Sequence, residues 1–118
     1  MIKLTGQKIF LACGHTDMRK QINGLLAIVE GDFKLNAFEE QVLFVFCNRQ
    51  RDRLKVLSWD ENGFWLHFKR LEKGRFKWPA AGEDNIMTLN NEEMELLLGN
   101  AKLTQKLRRQ EVKERVVF

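Results

Sequence analysis

The sequence predicts one α/β domain of the α+β type over residues 1–100, with a mainly antiparallel sheet of about five strands and helices packed on one face. Short apolar runs alternate with stretches of helical periodicity, which is typical of a sheet covered by helices. Two of the runs flank a turn that ends in glycine, as in a β-hairpin. With 118 residues and 44% hydrophobic residues, the chain has the size of one domain with one core.

The first predicted elements are a strand at residues 8–13 and the helix that follows it. Gly14 ends the apolar run, and Thr16 with Asp17 gives a helix-start signal. Apolar residues then recur at helical spacing up to Gly31 and predict one buried stripe, made of Met18, Ile22, Leu25, Leu26 and Val29. We therefore expect a helix from about Thr16 to Gly31.

The central part of the chain predicts a meander of strands. Residues 42–46 are continuously apolar and suit a strand that is buried on both faces. Residues 53–59 and 64–71 flank the connection 60–63, which predicts a hairpin turn. A second glycine-containing turn leads into a third predicted strand at 75–78. We expect this meander to pair with the strand at 42–46.

The last predicted elements are a short strand at residues 86–89 and a helix over about 91–98. Asn90 is a suitable N-cap, and Glu93 occupies the capping-box position. Gly99 ends the helix. Residues 101–118 form a basic C-terminal tail, for which we expect a marginal helix or partial disorder.

Alternation along the predicted strands sorts their side chains into two faces, because successive residues point to opposite sides of a strand. The predicted apolar face consists of Leu54, Val56, Phe64, Leu66, Phe68, Phe76 and Trp78. The predicted solvent-facing side consists of Arg53, Lys55, Leu57, Trp59, Trp65, His67, Lys69, Arg75 and Lys77. This assignment gathers the cations around two tryptophans.

The cations are concentrated in the same central segment. The formal net charge is +4, and residues 49–78 hold nine Lys and Arg against four Asp and Glu. Such a surface can neutralise phosphates, and indole rings can stack on bases. The candidate nucleic-acid contacts are Arg49, Arg51, Arg53, Lys55, Trp59, Trp65, Lys69, Arg75 and Lys77. Two other interpretations stay open, a simple solvated face and a surface that a protein partner covers.

No pattern of catalytic residues is present in the sequence. The carboxylates are scattered over turns and helix starts, and the sole serine, Ser58, has no nucleophile motif around it. Cys13 and Cys47 end apolar runs and are expected in the core, without the C-x-x-C spacing of a zinc site. We expect no enzymatic activity, no cofactor and no metal. Without a bilayer-length apolar run or a signal peptide pattern, we expect a cytoplasmic protein.

Five segments in chain order resemble a known family. They are FLACGHTDMRK at 10–20, LFVFCNR at 43–49, RDRLK at 51–55, WD with GF at 59–64, and KRLEKGRFKWP at 69–79. Together they resemble the Orf2 accessory proteins, also called TnpB, of the sixty-sixth insertion-sequence family of bacteria. The resemblance implies a small accessory protein encoded beside a separate transposase and needed for efficient DNA transposition. It implies no nuclease activity.

The resemblance also singles out the motif residues Thr16, Asp17, Arg19 and Lys20, whose role it leaves unknown. A helix start with solvated cations and a partner-binding or anchoring role are both open, and we expect Arg19 to pair with Asp52 or Asp60. Two departures from the family pattern are His15, where proline is common, and residues 36–40, which replace a D-P-F-S-G-like turn.

Two functional hypotheses follow for the partners, element DNA and the transposase of the same element. In the first, the basic sheet face contacts the DNA or the transposase–DNA complex. In the alternative, the protein is an adaptor without nucleic acid affinity, which binds the transposase through Trp59, Trp65 and nearby apolar surface. Neither hypothesis involves a membrane, and the sequence predicts no oligomeric state.

Overall fold

One five-stranded sheet organises the chain. The computed structural model describes residues 2–99, so the predicted tail at 101–118 lies outside the described residues. The strands are β1 (Lys8–Ala12), β2 (Val42–Cys47), β3 (Arg53–Asp60), β4 (Gly63–Arg70) and β5 (Ile86–Leu89), in the sheet order β4-β3-β2-β1-β5. The helices are α1 (Ile22–Ala27), which continues into a π-helical turn (Ile28–Asp32), and α2 (Asn91–Leu97).

The sheet is mostly antiparallel, as predicted, but β1 and β2 run parallel. Their register extends from Lys8 opposite Val42 to Leu11 opposite Val45. A parallel pair needs a crossover connection, which α1 and the loops around it supply here. The carboxyl ends of β1 and β2 therefore lie at the same end of the sheet.

The two helices pack on opposite faces of the sheet, so the prediction that helices cover one face is wrong. On the first face, α2 packs in a core formed by Ile9, Leu11, Leu43, Val45, Cys47, Leu54, Val56, Phe76, Leu89, Met94 and Leu97. On the second face, α1 packs in a core formed by Ala12, Leu25, Val29, Ala37, Val42, Phe44, Phe46 and Leu57. The physical reason is β2, whose residues are all buried, so that both of its faces need apolar cover.

The first helix begins later than predicted. Thr16 and Asp17 precede it in a loop, and Gln21 is its N-cap. The Asp17 carboxylate accepts a hydrogen bond from the Arg19 backbone N–H at 2.9 Å, which gives the chain a local turn in place of a helix. The predicted apolar stripe is confirmed, because Met18, Ile22, Leu25, Leu26 and Val29 all pack in the second core.

The predicted meander contains two strands and not three. Residues 75–78 form no strand, although Phe76 is buried in the first core. Trp78 is anchored by its indole N–H, which donates to the Ala12 carbonyl at 2.9 Å. The hairpin of β3 and β4 and its pairing with β2 are confirmed.

The prediction of which β3 and β4 side chains share a face of the hairpin is wrong. Leu57 lies opposite Leu66, and Trp59 lies opposite Phe64, so an odd-numbered residue of β3 shares its face with an even-numbered residue of β4. Any connection with an even number of residues has this consequence. Arg53, Lys55, Leu57 and Trp59 therefore share the α1 face with Phe64, Leu66 and Phe68. Leu54 and Val56 share the α2 face with Trp65, His67 and Lys69.

The C-terminal elements match their predictions. The Asn90 side chain accepts from the Glu93 backbone N–H at 2.7 Å, and the Glu93 carboxylate accepts from the Asn90 N–H at 2.9 Å. Leu89 and Met94 are both buried in the first core, as a hydrophobic staple requires. The capped helix α2 thus covers the first face of the sheet.

Substituting alanine at Leu57 and Phe68 tests the corrected faces. Leu57 has no exposed surface, whereas Phe68 is 56% exposed. We expect Leu57→Ala to lower the free energy of unfolding by about 2–5 kcal/mol, because a buried leucine leaves a cavity. Phe68→Ala should cost less than half as much in the same urea denaturation series. Equal losses would contradict the assignment.

Candidate functional site

Two loops meet at the carboxyl ends of the parallel strands. We name residues 14–20, which follow β1, the motif loop, and residues 48–53, which follow β2, the arginine turn. The Thr16 backbone N–H donates to the Cys47 carbonyl at 2.8 Å, and Arg49 Nη2 lies 3.4 Å from His15 Nε2. The edge at the carboxyl ends of parallel strands is a common place for binding sites in α/β sheets, because loops converge there.

Asn48 builds the arginine turn. Its side chain is buried, and its Oδ1 accepts from the backbone N–H groups of Asp52 and Arg53, each at 3.0 Å. Its Nδ2 donates to Asp52 Oδ1 at 2.7 Å, and this hydrogen bond lowers the pKa of the Asp52 carboxyl. Arg51 adopts a left-handed backbone with φ of 61°. One amide side chain thus holds the backbone of the turn that carries the arginines.

Lys55 fastens the motif loop to the sheet. It is 5% exposed, and its Nζ donates to the carbonyls of Met18 and Lys20, each at 2.8 Å. Its Nζ also lies 6.0 Å from the centre of the Phe68 ring. No carboxylate of residues 2–99 forms an ion pair with it. Because a buried cation needs polar partners, carbonyl dipoles stabilise this one, and its side chain has a structural role.

The motif loop carries its own ion pair. Arg19 Nη2 lies 2.7 Å from Asp17 Oδ2, and Arg19 Nε donates to both carboxylate oxygens. These hydrogen bonds hold the pKa of the Asp17 carboxyl well below its usual range. The expected pairing of Arg19 with Asp52 or Asp60 is therefore wrong. A partner two residues away leaves the Arg19 side chain 91% exposed.

A groove of about 970 Å³ is lined by residues of both loops and of the hairpin. Its lining includes four cations, Arg19, Arg49, Arg53 and Lys55, and apolar residues of β4, Leu66 and Phe68. Asp17 is the one carboxylate among the lining residues, and it is already paired with Arg19. The groove therefore has an excess of positive charge at its rim and in its wall.

Arg75 joins the arginine turn from the segment after β4. Its Nη1 donates to the Gln50 carbonyl at 2.7 Å, and the Phe76 backbone N–H donates to the Arg51 carbonyl at 2.7 Å. Four arginines thus belong to one turn and to the segment hydrogen-bonded to it, namely Arg49, Arg51, Arg53 and Arg75. Of these, Arg53 alone has an ion pair within the described residues, with Asp52 at 3.4 Å.

The remaining predicted contacts lie elsewhere. Trp59 packs edge-on against Phe38 and Phe64, with ring centroids 5.1 and 4.9 Å away, and six residues of strand, about 20 Å, separate it from Arg53. Trp65 and Lys69 lie on the α2 face, where Lys69 Nζ donates to the Leu98 carbonyl. Lys77 is exposed two residues beyond Arg75. The nine residues do not form one array on one face.

Neither cysteine belongs to a metal site in the part of the chain that the structure describes. No group of three or more His, Cys, Asp and Glu side chains there is placed to hold a metal ion. Burial raises the pKa of the Cys47 thiol to about 12, and burial followed by the charge of Asp84 raises that of Cys13. Within the same residues, no helix has the length and apolar character needed to cross a membrane.

Comparison with known proteins identifies the family. The family described as IS66 Orf2 like protein matches residues 7–108. The chain belongs to this family. The IS66 Orf2-like match covers the whole sheet, both helices and both loops of the candidate site. The family is linked to insertion sequences, which makes the chain an insertion-sequence accessory protein.

Two relatives of this IS66 Orf2-like protein come from Sinorhizobium fredii (strain NBRC 101917 / NGR234). The protein named "Uncharacterized protein y4hO" is 38% identical over 91 residues, which cover 77% of each chain. The protein named "Uncharacterized protein y4jC" is 32% identical over 108 residues, which cover 92% of this chain and 90% of that one. No solved structure matches the chain.

Asn48 and the groove floor are site residues that the sequence analysis missed. A polar Asn directly after a buried strand is a usable signal, because Asn side chains often hydrogen-bond the backbone of a following turn. Leu66 and Phe68 gave no such signal, because apolar residues in a strand indicate core wherever they occur. Their place beneath the groove depends on the hairpin register.

Replacing Lys55 by methionine tests its anchoring role. Lys55→Met keeps an unbranched side chain and removes the ammonium group, so the Met18 and Lys20 carbonyls both lose their hydrogen-bond donor. We expect the free energy of unfolding to fall by about 1–3 kcal/mol, with faster amide exchange in the motif loop. Lys77→Met, at an exposed position, is the matched control and should change neither quantity. An unchanged exchange rate in Lys55→Met would contradict the anchoring role.

Proposed function

We propose that this insertion-sequence accessory protein supports DNA transposition by contacting phosphates of element DNA through the arginine turn and Arg75. The contact is made with the DNA alone or with the transposase–DNA complex. The observation that carries the proposal is that Arg49, Arg51 and Arg53 lie in one turn, that Arg75 is hydrogen-bonded to this turn, and that the four have one ion pair between them among residues 2–99. Guanidinium groups bind phosphates in a bidentate way, and this makes arginine suited to backbone contacts.

The proposed contact lies at the end of the sheet and not on a sheet face. Lys55 is excluded from it because its ammonium group is buried and bonded to two carbonyls. Lys69 and Trp65 point to the α2 face, away from the face that carries Arg53. The surface proposed to contact DNA is therefore smaller than the surface predicted from the sequence, but its charge is more concentrated.

Charge is the expected basis of binding, with little reading of base sequence. The arginine turn is a short loop, and neither a helix nor a two-stranded ribbon projects from it to enter a major groove. Contacts with phosphates fix position and carry no sequence information directly. We therefore expect similar affinity for duplexes of different sequence.

The adaptor hypothesis receives less support. It relied on Trp59 and Trp65 as one surface, but the two residues lie on opposite faces of the hairpin. Trp59 is also packed between Phe38 and Phe64. A protein partner that needs both indole rings on one side has no such surface here.

Titrating labelled duplex DNA at several salt concentrations tests the proposal. We expect Arg49→Gln/Arg51→Gln to reduce affinity at least tenfold, and the slope of log K against log salt should fall by about 2, since each lost phosphate contact removes about 0.9. Lys3→Gln/Lys8→Gln is the matched control. It removes the same charge at exposed positions, and Lys8 starts β1 at the opposite end of the strand from the motif loop, so it should bind as the wild type does.

Two results would overturn the proposal. In one, the two double variants lose affinity and slope equally, which would mean that overall charge and not the arginine turn governs binding. In the other, the protein binds no DNA at low salt yet co-purifies with the transposase after nuclease treatment, which would establish the adaptor.

A further inference from the structure

Strand β4 leaves one of its edges without a partner strand among the described residues. It is the first strand in the sheet order and pairs with β3 alone. All of its eight residues, Gly63–Arg70, lie in continuous register with β3, so no bulge interrupts the strand. A regular free edge presents backbone N–H and C=O groups to any further strand that approaches.

The first six residues of this edge strand lack the features that usually prevent pairing. Residues 63–68 read GFWLHF and contain no proline, lysine, arginine or carboxylate. Short edge strands and charged or proline residues are the common means of protecting an edge. The opposite edge of the same sheet, β5, is protected in this way, because Ile86–Leu89 is only four residues long.

Large apolar side chains are exposed near the middle of β4. Trp65 is 59% exposed and Phe68 is 56% exposed, which makes them the two most exposed large hydrophobic residues in the described part of the chain. Trp65 belongs to the α2 face and Phe68 to the α1 face. A strand added beside β4 would therefore cover an aromatic ring on each side of the sheet.

The charges at the two ends of β4 favour a second copy of the same strand in the antiparallel direction. The turn before β4 carries Asp60 and Glu61, and the strand ends with Lys69 and Arg70. Glu72 pairs with Arg70 at 2.7 Å, and the Lys69 ammonium group donates to the Leu98 carbonyl. Antiparallel pairing places the acidic end of one copy beside the basic end of the other, whereas parallel pairing places like charges together.

We propose that β4 is a homodimer interface, in which two copies pair antiparallel through this edge and form one ten-stranded sheet. The two-fold axis stands perpendicular to the sheet near Leu66 and His67, the middle residues of the strand. Such an axis keeps equivalent faces on the same side. The two grooves, each with Leu66 and Phe68 in its lining, then open on one face of the dimer.

Sedimentation velocity of the full chain over a range of concentrations tests the dimer. We expect a mass of twice 13.9 kDa that dissociates on dilution. Trp65→Lys should raise the dissociation constant at least tenfold, which corresponds to about 1.4 kcal/mol. Met87→Lys is the matched control, because Met87 is exposed on the opposite edge strand, and it should dimerise as the wild type does. Thermal unfolding of each variant verifies that it is folded.

Exchanging charges tests the antiparallel direction. Glu61→Lys and Lys69→Glu should each weaken the homodimer, because each puts like charges at the two ends of the seam. An equimolar mixture of these two variants should associate again as a heterodimer. A full chain that stays monomeric at every concentration would overturn the proposal, and so would a dimer that Trp65→Lys leaves intact. Association at β4 with the transposase alone, while the chain by itself is monomeric, would also overturn it.

Discussion

The parallel pairing of β1 with β2 is the constraint on which the rest of the structure depends. It makes α1 a crossover on one face, leaves the other face to α2, and buries every residue of β2 between them. It also brings the carboxyl ends of β1 and β2 to the same end of the sheet. The motif loop and the arginine turn are far apart in the chain, yet they become neighbours for this reason alone.

Two buried polar side chains turn this proximity into a defined site. Asn48 satisfies the backbone of the arginine turn, and Lys55 satisfies two carbonyls of the motif loop. An unsatisfied polar group in such a position would cost free energy, so each loop has one preferred conformation. The backbone that carries Arg51 and Arg53 therefore depends on Asn48, and the backbone on either side of Arg19 depends on Lys55.

The distribution of charge gives the molecule two distinct surfaces. The guanidinium groups belong to loops at the end of the sheet, where charged groups stay hydrated and a polyanion can approach. The free edge of β4 combines an uncharged centre with ends of opposite charge. Two-fold antiparallel pairing at that edge would place one arginine turn at each end of the ten-stranded sheet.

The sequence by itself determined most of the local elements: the five strands that form, the stripe of α1, the hairpin and the capping box at Asn90. These depend on side-chain periodicity and on contacts within a few residues, which the order of amino acids records directly. The sequence also predicted a strand at 75–78 that does not form. Tertiary structure decided the later start of α1, since Asp17 bonds to Arg19 in a turn. It also decided the faces of the hairpin, because register and not composition determines which residues share a side. A lysine in a strand is predicted to face solvent, because the loop carbonyls that its Nζ bonds to are distant in the sequence. The structural role of Lys55 therefore followed only from the tertiary structure. The same holds for the contact between the two loops, which depends on the pairing of two strands that are distant in the chain.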